Sequence, residues 1–171
     1  KQMSITAAPD GTIFLSNSRD HHIYQFGVDG QLVKKFGKHG QGPGDLTFPG
    51  ALSILDGAFL VVGEYLSVRR ISLFKLDGTF KALFKTSGPP GTPVALRDGK
   101  IAFVAVTGTL EARGDDFVDV NTNKIMILDT ATAKYELEMA DLTYRTLAQD
   151  KPGWKFSYGI FSLQQPVSSM F

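Results

Sequence analysis

Residues 10–49 read DGTIFLSNSRDHHIYQFGVDGQLVKKFGKHGQGPGDLTFP. Two Asp-Gly pairs, Asp10-Gly11 and Asp29-Gly30, stand among short apolar runs. Asp-Gly between alternating apolar residues signals a hairpin, because both residues accept the positive φ of a tight turn. The runs are Ile13-Phe14-Leu15, Ile23-Tyr24-Gln25-Phe26 and Leu32-Val33-Lys34-Lys35-Phe36, with Ser4-Ile5-Thr6-Ala7 upstream. That predicts four antiparallel strands in chain order, each about five residues long. Residues 37–45, GKHGQGPGD, are too rich in Gly and Pro for a helix or a sheet interior and predict a surface crossover.

Outward from this stretch the chain repeats itself. Asp-Gly recurs at Asp56-Gly57 and Asp98-Gly99, 46 and then 42 residues on, a spacing suited to propeller blades of about 40–50 residues. The second turn recurs as Asp77-Gly78 and, degenerate, as Asp129-Thr130. Three blades are expected at residues 3–49, 50–93 and 94–142. Residues 143–171 are expected to hold a connection and, from Trp154 to Phe161, the start of a further blade. Ile101 to Val106 is an unbroken apolar run, as a strand buried on both faces would be. Residues 107–123 read as a polar loop inserted between the second and third strands of the third blade. Little helix is expected before residue 140. Ile13, Leu15, Phe59, Val61 and Phe103 are expected between the sheets.

The four-strand unit, with DG-x-I-[FY]-[LV], a basic residue before an aliphatic one, a second DG and FG-x-x-G-x-G-P-G-x-[LF]-x-x-P, resembles the NHL repeat. The most specific part of the resemblance is GQGPGDLTFP at residues 40–49. It implies an all-β fold: a β-propeller of four-stranded antiparallel blades, of which this chain holds three of six. The family pattern pairs an acid at the end of the second strand with a base before the third. Blade two keeps both, as Glu64 and Arg69 or Arg70, and a structural pair Glu64–Arg70 is expected. Blade one departs, with Asn17 for the acid and His22 for the base, and blade three has Lys124 in the basic position.

Composition narrows the function classes. Hydrophobic residues make up 43% of the 171 and charged residues 20%, a globular rather than a disordered balance. A net charge of +1 draws the chain strongly neither to nucleic acid nor to a membrane surface. Without Cys there is no disulfide and no thiolate chemistry. No apolar run is long enough for a membrane-spanning helix. The chain starts at Lys1 without Met, and any targeting segment is expected outside it.

Candidate sites are few. Asp119-Val120-Asn121-Thr122-Asn123 resembles the start of a calcium loop, whose hard oxygens would come from Asp119, Asn121 and Asn123. Lys124 replaces the Gly such a loop needs and Thr130 its terminal Glu, which favours a polar turn and no cofactor. Arg113-Gly114-Asp115 is explained by turn chemistry without an adhesion role. His21, His22 and His39 suggest zinc by type alone. Neighbours on a strand point to opposite faces, which argues against chelation by His21 and His22 together. Lys34, Lys35, Lys38 and His39 form a small basic cluster. Loops carry binding residues on rigid scaffolds, which nominates Arg69, Arg70, His22, Arg113, Asp115 and Asp116.

The expectation is a non-catalytic binding or scaffold module of bacterial, extracytoplasmic type. It would present loops of one propeller face to a protein, peptide or carbohydrate. A metal-dependent lyase or lactonase is the alternative that the family resemblance implies, since the family includes a zinc-dependent amidating lyase. Nucleic-acid binding, known for some family members, ranks third. Three blades leave two raw flanks, so further blades or self-association are expected.

Overall fold

The structure, a computed structural model, describes residues 3–65, 68–113 and 116–147. Its Asp-Gly pairs make turns in two ways. At Asp56-Gly57 and Asp98-Gly99 both residues have positive φ, 49° and 65° in one and 59° and 72° in the other. That is the backbone of a two-residue hairpin loop. Asp10, Asp29 and Asp77 act instead through their carboxylates. Each Oδ1 accepts the amide two residues on, from Thr12 at 2.9 Å, Gln31 at 3.0 Å and Thr79 at 2.8 Å, and only the following Gly turns left-handed. Asp129 does the same for Ala131 at 2.7 Å, which makes the degenerate Asp129-Thr130 a working turn without glycine.

These turns fold the chain into three four-stranded antiparallel sheets, each a meander in chain order. The first holds β1 (Met3–Ala7), β2 (Ile13–Asn17), β3 (His22–Phe26) and β4 (Leu32–Phe36). The second holds β5 (Pro49–Leu55), β6 (Phe59–Glu64), β7 (Arg70–Lys75) and β8 (Phe80–Lys85). The third holds β9 (Val94–Ala95), β10 (Lys100–Arg113), β11 (Asp116–Asp129) and β12 (Lys134–Leu147). No α-helix occurs among the described residues. The sheets resemble propeller blades. In each meander the link from second to third strand lies at one end, as do the two described crossings between sheets, and the other two turns lie at the opposite end.

Consecutive sheets share apolar cores. Phe14, Ile23 and Leu46 of the first unit pack with Leu52, Leu60, Val62 and Phe74 of the second. Val61, Ile71, Leu73 and Phe84 of the second pack with Ile101, Phe103 and Leu128 of the third. Val61 and Phe103 thus lie between sheets, and Phe59 packs at the margin of the second core. Ile13 and Leu15 do not: Phe14 and Ser16 are the buried pair on β2, and Ile13 and Leu15 alternate onto the outer face. With a side-chain period of two, an apolar triplet has to be split between faces, and contact with the second sheet selects its middle residue.

The inserted loop expected at 107–123 is strand. β10 and β11 are 14 residues each and pair without a break from Lys100↔Asp129 to Arg113↔Asp116. Thr107, Thr109, Val118, Val120 and Thr122 are β-branched, which favours strand, and β11 is paired on its other side by β12 as far as Val118↔Leu147. β12 likewise runs to Leu147, beyond the expected blade boundary at 142. The sequence from Trp154 to Phe161 lies outside the described residues.

Candidate functional site

Glu64, the last residue of β6, and Arg70, the first of β7, are direct cross-strand partners. Their side chains meet edge to edge, Nε to Oε1 at 2.5 Å and Nη2 to Oε2 at 3.0 Å. Glu64 is fully buried and Arg70 nearly so. Burying an ion pair stabilises only when the remaining lone pairs and protons also find partners. Here they do. Ser72 Oγ donates to Oε1 at 3.1 Å and the Thr47 amide to Oε2 at 2.7 Å. The guanidinium donates to the carbonyls of Gln41 at 3.2 Å, Gly40 at 3.1 Å and Asp45 at 2.9 Å.

Every one of those backbone groups belongs to the Gly-rich crossing from the first sheet to the second. The pair is therefore a latch, made by the second blade to grip the exit of the first. The loop is shaped for it. Leu46 plugs the apolar core, its amide bonded to the Lys38 carbonyl at 2.7 Å, and Thr47 Oγ1 donates to the Gly40 carbonyl at 2.8 Å. A Cβ at Gly40 would collide with the Asp45 carboxylate, which explains the glycine. Ser72, Thr47 and the three loop carbonyls escaped the sequence reading. Only Ser72 had a signal, being two residues past Arg70 and so on the same face.

The equivalent cross-strand pairs are Asn17↔His22 in the first blade and Ala105↔Lys124 in the third. The third blade lacks the acid and is joined through backbone: the Gly91 amide donates to the Val104 carbonyl at 2.8 Å and Pro90 bridges to Ala105. At the opposite end of the blades the Gly99 amide donates to Asp56 Oδ2 at 2.8 Å, and between the outer strands the Tyr135 hydroxyl donates to the carbonyl of Lys85, the cross-strand partner of Arg70. In the first blade His22 Nδ1 donates to the Asp20 carbonyl at 2.5 Å and the Tyr24 hydroxyl to the Asp20 carboxylate. That bond, with a lesser contribution from burial, raises the Tyr24 phenol above its ordinary value.

The histidines separate. His21, at φ 63°, bonds through Nδ1 to the Thr47 carbonyl and lies 4.4 Å from the His39 ring, centroid to centroid. His22 sits on β3 beside Asp20. Among the described residues no group of three or more His, Asp or Glu side chains could hold a metal ion. The basic cluster is tied into the fold, with Lys34 donating to the Asp77 carbonyl of the next blade and Lys38 lying 3.7 Å from Asp45. Arg69 is exposed with φ 47°, and its carbonyl takes the Thr86 amide at 2.8 Å.

Asp119, Asn121 and Asn123 lie on β11, opposite Leu110, Gly108 and Val106. An extended ladder cannot wrap oxygens around a cation as a calcium loop does, which corrects both the loop and the turn reading of this segment. Arg113 and Asp116 pair at the far end of the β10–β11 hairpin, and Asp115 lies outside the described residues. The second-to-third-strand links are on the same end in every blade. The hairpin end is therefore the longest feature of the end that also carries His22, Arg69 and the latch.

No protein-family model and no curated protein matches the chain. Among solved structures, a Bacteroides fragilis protein described as exported superimposes with a TM-score of 0.50 at 9% identity, over 84% of this chain and 70% of its own. Virginiamycin B lyase from Staphylococcus aureus matches at a TM-score of 0.44 and 12% identity, over 79% of this chain and 54% of the lyase. The first likeness is one of fold.

Proposed function

We propose that the chain contributes three blades to a six-bladed propeller of NHL type and works as a non-catalytic binding module. Its partner is a protein, peptide or carbohydrate held at the end where the second-to-third-strand links and blade crossings gather. The observation that carries this reading is the β10–β11 hairpin. Its strands are 14 residues long where β6 and β7 have 6 each. At about 3.3 Å per residue the excess projects roughly 25 Å past the blade body. A rigid scaffold with one element extended at its loop end is a common way to build a recognition surface. The description of the Bacteroides fragilis protein supports a location outside the cytoplasm, which cell fractionation checks.

The test compares the intact chain with a variant in which an Asp-Gly turn joins Val106 to Asn123, and with Arg113→Ser/Asp116→Ser. All three are applied to glycan and peptide arrays after circular dichroism has verified the sheet content. The intact chain is expected to retain a ligand that the shortened chain loses and the double variant binds at least about tenfold more weakly. Retention unaffected by shortening would remove the hairpin from the site and this reading with it.

A further inference from the structure

The seam between the first and second blades brings together two histidines that stand apart in the sequence. His21 lies in the β2–β3 link and His39 in the Gly-rich crossing. Their ring centroids are 4.4 Å apart, with an interplanar angle of 53°. The crossing is pressed onto the link at this place. Gly37 has φ 82°, and a Cβ there would come 2.6 Å from Leu46 Cδ1 and 3.2 Å from the His21 carbonyl oxygen.

His21 is fixed in the manner of a ligand. Its Nδ1 meets the Thr47 carbonyl, which can only accept, so Nδ1 carries the proton and the lone pair is left on Nε2. Metal-binding histidines commonly spend their other ring N–H on a carbonyl or carboxylate, which sets the tautomer and the ring plane. Thr47 is itself held, its amide on Glu64 Oε2 at 2.7 Å and its hydroxyl on the Gly40 carbonyl at 2.8 Å. The Phe48 ring packs against the same imidazole, 5.9 Å away at 64°. His21 also has φ 63°, a left-handed backbone that is uncommon outside glycine and that His adopts more readily than most residues.

We infer that His21 Nε2 and the His39 imidazole together bind one divalent transition-metal ion such as Zn²⁺, with water in its other positions. Metal–nitrogen bonds of about 2.0–2.1 Å in neighbouring positions set two imidazole centroids roughly 4.5–5 Å apart, close to the separation present. Imidazole suits zinc, copper and nickel, whereas magnesium and calcium take oxygen. The cations nearby are already matched, Lys38 lying 3.7 Å from Asp45 and Arg70 2.5 Å from Glu64. With two protein ligands the ion staples the link to the crossing that the latch grips. It uses no residue of the β10–β11 hairpin and does not rest on the binding reading above.

Calorimetric titration of the purified chain with Zn²⁺, alongside His21→Asn, His39→Gln and His22→Gln, tests this. Asn tolerates the left-handed backbone at residue 21, and residue 39 is exposed, so both variants are expected to fold. His22 is the control: its Nδ1 also meets a carbonyl, that of Asp20, but its ring neighbour is Tyr24, at 6.5 Å. The chain is expected to take up one ion. His21→Asn and His39→Gln should each weaken binding at least about tenfold, since losing even an outer-shell partner costs that much, and His22→Gln should leave it unchanged. Binding should fall as pH is lowered, because the ligand nitrogen must be unprotonated. Bound Zn²⁺ should also slow amide exchange in residues 37–47 more than in β9–β12. Absence of saturable binding, the outcome if the two rings merely pack, overturns the inference. So does an affinity that survives His39→Gln, or one that falls as far with His22→Gln.

Discussion

Arg70 holds the crossing loop and neutralises a carboxylate that no water reaches. Arg70→Ala strands the Glu64 charge, and the expected loss is about 3–5 kcal/mol, against less than about 0.5 for Lys81→Ala on the exposed edge. Thermal unfolding checks this: equal melting temperatures for the two variants would show that the latch contributes nothing. The turn aspartates behave differently. The Thr12 amide holds the Asp10 carboxyl below its ordinary 3.8, the Thr79 amide does so for Asp77, and the Ala131 amide for Asp129. Each group therefore binds protons less readily folded than unfolded. Its contribution is complete above the unfolded value and is lost as pH falls through the lower folded value. The triple variant Asp10→Asn/Asp77→Asn/Asp129→Asn keeps the acceptor and removes the charge. Its melting temperature should change less between pH 5 and 2 than that of the parent, and parallel curves would count against the turns as acid-sensitive points.

At the scale of the element, β2 decides how the first sheet meets the second. Phe14 is fully buried in the shared core, while Ile13 and Leu15 are on the other side of the strand. Phe14→Ala is expected to cost about 3–5 kcal/mol, and Leu15→Ala less than half of that in urea unfolding. The reverse order would mean that the strand sits one residue out of register. Gly63 on β6 illustrates closeness of another kind. A Cβ there would come 2.8 Å from Pro93 Cδ, so Gly63→Ala should push the second crossing outward and destabilise the joint to the third blade rather than that to the first.

For the molecule as a whole, blades joined only to their neighbours make stability a chain of local terms. Val62→Ala weakens the first core and Leu73→Ala the second. Hydrogen exchange should then speed up in β1–β4 for the first variant and in β9–β12 for the second, with the opposite end little changed. Uniform acceleration throughout would indicate one cooperative unit in place of joined blades.

Asp-Gly spacing, alternating apolar runs and the Gly-rich exit were enough to determine four-stranded antiparallel units, their order and their repeat, because turns and strand period are local properties of the chain. The acid and base of the latch were legible as residue types at a spacing. What Arg70 grips was not, since Gly40, Gln41 and Asp45 are brought to it from 25–30 residues away by packing of the first sheet on the second. The face chosen by Phe14 over Ile13 and Leu15 was decided in the same way. The strands of 107–123 were hidden because polar residues such as Thr107, Asp119 and Asn121 interrupt the apolar run, and it is pairing across β10, β11 and β12 that makes them strand. Local chemistry wrote the blades into the sequence. Which surfaces they bury, and which they leave open, depends on contacts between residues far apart in the chain, and only the tertiary structure decides those.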